Sequence, residues 1–153
     1  ITAFISPKWW VNNPGHVIII PNRHVENIYD IDDASLKHVA VTTKRIAIAI
    51  RSTYDCTGTS TRQHNEPDGN QDVWHFHTHV FPRHPGDMLY QNHDNKAFVP
   101  PADRRLYAAR LRRYFADHND SSYTMDSVVY VPSHPTKLPT NHRGIFYLNI
   151  TRK

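Results

Sequence analysis

The sequence predicts an α+β domain: an antiparallel sheet of about five strands, a long helix on one face and a second helix towards the C-terminus. Three observations support this prediction. Within Val73–Arg83, three histidines alternate with other side chains, as on a strand with two different faces. Residues His16–Ile20 form a continuous apolar run between a glycine and a proline, which indicates a buried strand. Apolar residues recur at helical spacing within Asp33–Arg51 and Arg104–Asp117.

The composition is that of an ordinary soluble domain. A chain of 153 residues with 39% hydrophobic and 21% charged residues fits one globular unit. No apolar run reaches the roughly 18 residues of a membrane span and no signal peptide opens the chain, so a cytoplasmic location is expected. Cys56 is the single cysteine, which excludes an intrachain disulfide. The net charge of +4 favours a solvated basic surface over a nucleic-acid interface, and it also attracts anionic phosphates.

The first elements in the chain are a strand and a loop. Residues Ile1–Ser6 are predicted to form a strand that begins in mid-element. Residues Pro7–Gly15 carry turn residues and the adjacent Trp9 and Trp10. These rings suit stacking on a nucleobase, packing or a dimer contact, and the sequence leaves these roles open.

The long helix is predicted from its cap and its apolar stripe. Asp32 or Asp33 is the expected N-cap. The stripe is expected to face the sheet and consists of Leu36, Val39, Ala40, Ile46, Ala47 and Ile50.

The second helix is predicted to begin after Pro100 and Pro101. Its apolar contacts are assigned to Leu106, Tyr107, Ala109, Leu111, Tyr114 and Phe115. Its arginines are expected mostly in solvent and are Arg104, Arg105, Arg110, Arg112 and Arg113.

A strand and a polar turn precede the histidine-rich segment. Residues Thr57–His64 are rich in threonine and are predicted to form a strand. Residues Asn65–Asn70 then form a turn whose backbone N–H groups suit an anion-binding concavity, with an ordinary hairpin turn as the alternative.

The histidines at positions 75, 77 and 79 are expected to stand in one row. Side chains on a strand alternate between its faces, so Phe76 and Val80 should point to an apolar layer on the other side. Residues i and i+2 are about 6.6 Å apart on a strand, and i and i+4 about 13 Å. Zinc needs its nitrogen ligands at about 2 Å, so the whole row cannot bind one ion on a straight strand. A carboxylate shortly after His79 is also missing, so nucleophilic chemistry by imidazole is favoured over a metal site.

The segment His75–Phe81 resembles the signature of the histidine triad (HIT) family, His-x-His-x-His followed by apolar residues. Asn65–Asp72 is similar to the family's polar turn, and Pro14–Val25 resembles its Pro-Gly-His strand. The Pro-Arg and Gly-Asp pairs within Pro82–Asp87 resemble the fragile-histidine-triad branch. The resemblance therefore implies a HIT-like fold in which these blocks meet at one site.

The resemblance implies a role for each histidine. His77 is the expected nucleophile, which attacks the α-phosphate of a nucleotide and forms a nucleotidyl-histidine. His75 and His16 are expected to orient it, with His16 supporting the first histidine of the triad. His79 is expected to contact the phosphate and assist the leaving group.

The family also implies phosphate ligands. Asn65, Gln71 and the backbone around Asp72 are expected to hold the phosphoryl oxygens. Many relatives have Ser or Thr where this chain has Asp72, and an ionised carboxylate cannot donate a hydrogen bond. Lys8 also stands where relatives often place Asp or Asn near the ribose.

The expected activity is hydrolysis, because His79 stands where transferase and phosphorylase relatives commonly have Gln. The Pro-Arg and Gly-Asp pairs after the triad favour dinucleoside polyphosphates as substrates. Nucleoside phosphoramidates and non-catalytic nucleotide binding are the alternatives. No cofactor is required, although Mg²⁺ can accompany a polyphosphate. The expected partners are the nucleotide and a second copy of the chain, since HIT proteins are homodimers joined through the long helix and an edge strand.

Residues 1–120 are assigned to the HIT domain, and the N-terminal part of the family domain is expected to be missing. Residues 121–153 are assigned to a C-terminal extension. Ser127–Val131 and Gly144–Ile150 suggest two strands that form a hairpin or an arm.

Overall fold

A computed structural model describes residues 1–92 and 94–118, so the predicted extension 121–153 lies outside the described residues. Within the described ranges, no helix is long and apolar enough to cross a membrane. The elements in chain order are β1 (Thr2–Ile5), β2 (Lys8–Trp10), β3 (Val17–Ile20), α1 (Asp33–Thr53), β4 (Gly58–Gln63), a 3-10 turn (Pro67–Gly69), β5 (Thr78–Arg83), β6 (Lys96–Phe98) and α2 (Pro101–Asp117).

The predicted α+β class and antiparallel pairing are confirmed. Four strands form one sheet in the order β1-β3-β5-β4, and β2 and β6 form a separate antiparallel ribbon. Val17 of β3 lies opposite Val80 of β5, and Thr61 of β4 lies opposite the same residue. Strand β5 is therefore hydrogen-bonded on both edges.

Helix α1 begins where the sequence predicts. The Asp32 side chain accepts a hydrogen bond from the Ser35 N–H at 2.9 Å, which satisfies one unpaired donor of the first turn. Its buried residues are Val39, Ile46, Ala49 and Ile50. Ala40, assigned to the stripe, is exposed. It lies about 100° round the helix from Val39 and so at the edge of the buried face.

Helix α2 is present but rotated relative to the prediction. Leu106 is 65% exposed, whereas Arg104 is 1% exposed. Arg104, Ala108 and Leu111 have the spacing i, i+4 and i+7, so they share the buried stripe. The small Ala108 lies at the centre of this buried face. Arg104 buries its aliphatic stem, and its Nε donates to the Val99 carbonyl at 3.1 Å.

The sheet separates two apolar layers. Phe76 and Val80 are buried in the main core with α1, as predicted. On the opposite face a smaller cluster consists of Trp10, Phe81 and Leu89. Alternation along β5 thus places one side of the strand in the main core and the histidine side under this second cluster.

The loop that carries Leu89 is held by an ion pair at the end of β5. Arg83 donates two hydrogen bonds to the Asp87 carboxylate, at 2.7 and 2.8 Å. The carboxylate also accepts from the Asn13 side chain and the His84 N–H. These bonds, led by those from Arg83, hold the pKa of Asp87 well below its usual range. The covering loop is therefore tied to β5 and to the segment before β3.

Gly15 is required where the chain enters β3, next to His16. Its φ is +81°, and a Cβ there would overlap the ring of Tyr107 and lie 2.7 Å from Tyr54 Cε2. The segment can therefore pass these rings only with glycine.

We expect Gly15→Ala to lower the free energy of unfolding by about 3 kcal/mol, because backbone strain adds to a clash. Gly86→Ala, with φ +71° and open space around it, should cost only about 1 kcal/mol. Gly69→Ala, which meets neither problem, should change stability by less than about 0.5 kcal/mol. Urea unfolding of the three variants measures these values, and equal losses for Gly15→Ala and Gly86→Ala would contradict the clash.

Candidate active site

The three histidines lie where the chain enters β5. His79 is the second residue of the strand, whereas His75 and His77 precede it. The His75 N–H donates to the Val73 carbonyl at 2.8 Å, and this tight turn interrupts the extended backbone. The sequence predicted a continuous strand over Val73–Arg83, and this is wrong for the residues before Thr78, where the strand begins.

The ring of His77 is held in one tautomer. Its Nδ1 lies 2.8 Å from the His75 carbonyl oxygen. A carbonyl only accepts hydrogen bonds, so Nδ1 carries the hydrogen and the neutral ring keeps its lone pair on Nε2. No described residue makes a hydrogen bond to that Nε2. The ring lies 4.8 Å from the ring of His79, centroid to centroid. His77 thus presents a basic nitrogen beside a second imidazole.

His75 holds the entry segment in place. Its Nε2 donates to the Pro21 carbonyl at 3.0 Å, and the side chain is buried. Burial lowers the pKa of His75, with the nearby His24 and His77 adding to the effect. His75 therefore orients His77 through its backbone carbonyl, while its own ring anchors that backbone to the end of β3.

His16 contacts the third histidine of the row, which corrects the expected contact with His75. His16 Nε2 and His79 Nδ1 are 2.7 Å apart. The antiparallel register explains this contact, because Val17 lies opposite Val80 and His16 is therefore at the far end from His75. The His16 ring also stacks on Phe81, with centroids 4.2 Å apart.

Both members of the His16–His79 pair are held neutral. Burial is the main cause that lowers the pKa of each ring. Neighbouring cations and imidazoles lower both further, including His77 and Arg62. The pair is thus a hydrogen bond between two uncharged rings in the free protein.

Gln71 braces the polar turn. Its Oε1 accepts from the Glu66 N–H at 2.8 Å, and its Nε2 donates to the Glu26 carbonyl at 2.6 Å. The side chain is 6% exposed. The expected phosphate contact is therefore not provided, because both ends of this amide already have partners.

Asn65 is engaged in the same way. Its Oδ1 accepts from the Ile28 N–H at 2.9 Å and from Gln63 Nε2 at 2.8 Å, and its Nδ2 donates to Gln63 Oε1. It thus joins the turn to the loop before α1, and one N–H of Nδ2 is used in the bond to Gln63.

The backbone of the turn closes on itself. The N–H groups of Gly69 and Gln71 donate to the Glu66 carbonyl, and that of Asn70 donates to Pro67. These three donors point inward, so the expected anion-binding concavity is not formed by them. Asp72, directly after the turn, is exposed, and its backbone N–H makes no hydrogen bond to a described residue.

The two tryptophans pack inside the protein. Trp9 is 8% exposed and meets Tyr107 edge to face at 5.1 Å. Trp10 is equally buried and meets Phe81 at 5.3 Å. Of the roles left open by the sequence, packing is the one these rings have. Lys8 lies over the ring of Phe98 at 4.7 Å.

A family model described as the HIT domain matches residues 10–86, which is half of the chain. The chain belongs to the HIT domain family. It is 36% identical to "Protein hit" of Bacillus subtilis (strain 168) over 70 residues, 46% of this chain and 48% of that protein. It is 27% identical to the asymmetrical bis(5'-nucleosyl)-tetraphosphatase of Schizosaccharomyces pombe over 75 residues, 49% of this chain and 41% of that protein. The chain thus spans less than half of these two relatives.

Solved structures agree with this HIT assignment. A HIT-like protein from Bartonella henselae, described as involved in cell-cycle regulation, is 29% identical with a TM-score of 0.64. The match covers 72% of this chain and 77% of that one.

Two residues of this HIT site, Arg62 and His64, were missed from the sequence. Arg62 lies opposite His79 on β4, and the Arg62 guanidinium lies 4.4 Å from the ring centroid of Tyr90. His64 Nδ1 donates to the Gly69 carbonyl at 2.7 Å, and the His64 ring lies 6.2 Å from the His79 ring. Arg62 and His64 have the i, i+2 spacing of one strand face, which is the signal that identifies them once the strand pairing is known.

Among the residues that the structure describes, no group of three or more His, Cys, Asp or Glu side chains is placed to hold a metal ion.

We expect the stability of this HIT domain to fall with acidity through its buried histidines. The pKa of His79 is lowered in the folded state, so below the unfolded value of about 6.5 the unfolded chain binds more protons. Stability should be fully present above that value and decline as the pH falls. The free energy of unfolding should fall between about pH 7.5 and about pH 5.5, and replacing His79 with Gln should make this fall about 1 kcal/mol smaller.

Urea unfolding at a series of pH values measures this difference. His38→Gln, at an exposed position of α1, is the control and should keep the wild-type pH dependence. Identical pH slopes for His79→Gln and wild type would contradict the buried neutral pair.

Proposed function

We propose that this protein is a nucleotidyl hydrolase that cleaves at the α-phosphate of a nucleotide through a nucleotidyl-His77 intermediate. The observation that carries the proposal is the tautomer of His77, because its Nδ1–H is held by the His75 carbonyl and its lone pair stands on Nε2. A neutral imidazole nitrogen with a free lone pair is a competent nucleophile at neutral pH.

The first step forms a P–N bond and breaks a P–O bond. The Nε2 lone pair of His77 attacks the α-phosphorus, and the bridging oxygen leaves with the bonding electron pair. His77 keeps its Nδ1 proton and becomes a positively charged nucleotidyl-imidazole. The His75 carbonyl, at 2.8 Å from Nδ1, stabilises this charge through the hydrogen bond it already accepts.

The second step restores the enzyme. Water attacks the same phosphorus, the P–N bond breaks and its electron pair returns to Nε2 of His77. The water supplies the oxygen of the nucleoside monophosphate and releases a proton. Separating the reaction in this way replaces one difficult displacement with two easier ones.

His79 is proposed to act on the leaving group. Its ring lies 4.8 Å from that of His77 and is neutral in the free protein. A bound phosphate offsets part of the cost of charging the ring, because a nearby negative charge favours imidazolium. His16, hydrogen-bonded to Nδ1 of His79, fixes the ring that faces the departing oxygen.

Dinucleoside polyphosphates are the proposed substrates, with Mg²⁺ bound to the polyphosphate. Support comes from His79 in the third position, from the Pro-Arg and Gly-Asp pairs after the triad, and from the similarity to a bis(5'-nucleosyl)-tetraphosphatase. A cytoplasmic location forms part of the same proposal. Nucleoside phosphoramidates are the second substrate class, since the same nitrogen can displace an amine.

We expect a labelled dinucleoside polyphosphate to leave a nucleotidyl adduct on His77. Phosphoramidates survive base and hydrolyse in acid, so the adduct should persist in an alkaline quench and disappear in acid. His77→Ala should abolish the adduct and lower kcat/KM by at least about 10³-fold, because removal of the nucleophile removes the covalent path. His38→Ala, on the exposed side of α1, is the matched control and should retain both.

The same experiment separates the alternatives. Normal turnover by folded His77→Ala would overturn the nucleophile. Tight nucleotide binding by wild type with neither adduct nor product would favour a non-catalytic binding protein. A clear preference for an adenosine phosphoramidate would reverse the order of the two substrate classes.

A homodimer is also proposed. Val41 and Ile48 lie two turns apart on α1 and are 41% and 46% exposed. Strand β4 pairs with β5 on one side and is an edge of the described sheet. A helix with exposed apolar residues beside an open strand edge suits pairing with a second copy.

We expect sedimentation at micromolar concentration to give a dimer. Ile48→Asp should shift the protein towards monomer, because it places a charge in the apolar contact. Leu106→Asp, at a more exposed leucine on α2, is the control and should remain dimeric. A wild-type protein that sediments strictly as a monomer would contradict the proposal.

A further inference from the structure

Arg62 stands beside the histidine row on the neighbouring strand. Its Cα lies directly opposite that of His79 in the β4–β5 register. Residues that face each other in an antiparallel pair point to the same side of the sheet, so both side chains emerge on the catalytic face. The Arg62 guanidinium is therefore next to the third histidine.

The guanidinium is held by aromatic rings. Its Cζ lies 4.4 Å from the ring centroid of Tyr90, 5.2 Å from that of Phe81 and 6.0 Å from that of Trp10. Distances up to about 6 Å are those of cation–π contacts, which position a guanidinium without neutralising it. Phe81 and Trp10 are buried, whereas Tyr90 is 60% exposed, so two of the three rings belong to the packed interior.

The charge of Arg62 has no carboxylate partner among the described residues. Arg83, which also lies over Tyr90 at 4.9 Å, shows the contrast because it donates two hydrogen bonds to Asp87. The guanidinium of Arg83 is thus neutralised by an ion pair with Asp87. Arg62 keeps a full positive charge near the His79 ring, and this charge contributes to the lowered pKa of His79.

We propose that Arg62 binds the phosphate groups beyond the scissile α-phosphate and so makes this protein selective for substrates with a charged polyphosphate leaving group. The inference rests on the proposed function, in which His79 faces the leaving group. A polyphosphate that departs past His79 meets a planar guanidinium able to donate two hydrogen bonds to phosphate oxygens. An uncharged amine leaving group has nothing to offer this guanidinium.

A diffuse positive field is the competing explanation. Lys96 also lies near the site, with its Nζ 4.9 Å from the ring centroid of Trp10, and it also lowers the pKa of His16. If net charge alone attracted the substrate, removal of either cation would have a similar effect. Direct contact predicts instead that Arg62 matters for the polyphosphate and that Lys96 matters much less.

The test compares Arg62→Met, Arg62→Lys, Lys96→Met and Arg105→Met with wild type. Methionine keeps an aliphatic stem in the aromatic cradle and removes the charge. Arg105 is an exposed arginine on α2 and controls for the change in net charge. Thermal melting of each variant first establishes that it is folded.

Two measurements follow on each folded variant. The first is kcat/KM for diadenosine triphosphate and for adenosine 5'-phosphoramidate. The second is the dissociation constant for AMP and for ADP by calorimetry, which requires no turnover. We expect Arg62→Met to lower kcat/KM for the polyphosphate at least about tenfold and to remove the preference for ADP over AMP. The phosphoramidate rate should change less than about threefold, and Arg62→Lys should recover part of the loss.

The outcomes separate the two proposals. One outcome is that wild type binds ADP more tightly than AMP, Arg62→Met loses this preference, and wild type turns over neither substrate. That outcome would refute the hydrolase and support Arg62 as the polyphosphate ligand. Equal losses on both substrates, equal losses for Lys96→Met, or an unchanged ADP preference in Arg62→Met would overturn the inference. Absence of any nucleotide binding by wild type would overturn both.

Discussion

Strand β5 is hydrogen-bonded on both edges, and this double pairing is the constraint on which the site depends. Its partners β3 and β4 are held in one register, with Val17 and Thr61 both opposite Val80. Val80 is fully buried in the main core, so a slip by one residue would exchange the two faces of the strand. Burial of an ordinary valine thereby determines that His79 faces the candidate active site.

The proposed nucleophile, His77, depends on backbone groups that are themselves anchored. The carbonyl of His75 accepts from His77, the ring of His75 donates to Pro21, and the N–H of Phe76 donates to Val25 at 2.7 Å. This entry segment lies outside regular strand structure, so these local bonds replace the ladder that would otherwise hold it. The polar turn before it is closed by its own backbone and by Gln71. The side chains of Gln71 and Asn65, which the sequence assigned to phosphate, support the loop.

The face of the sheet that carries the candidate active site combines neutral histidines with positive charge. Burial keeps His16 and His79 uncharged, whereas the guanidinium of Arg62 carries a positive charge. Aromatic rings serve both groups, since Phe81 stacks on His16 at 4.2 Å and lies 5.2 Å from the guanidinium. An anion that enters this face meets donors and a cation without displacing a protein carboxylate from Arg62.

The sequence by itself determined the α+β class, both helices, the cap at Asp32 and the identity of the three histidines, because these depend on local spacing and on residue chemistry. It did not determine which groups those residues meet. The His16–His79 contact follows from strand register, and the exposed Leu106 follows from the face that Ala108 presents to the core. Arg62 is distant from the triad in the chain and becomes its neighbour only through β4–β5 pairing. Tertiary structure decided these points, because hydrogen-bond partners across strands and the rotation of a packed helix are set by non-local contacts that a one-dimensional pattern does not contain.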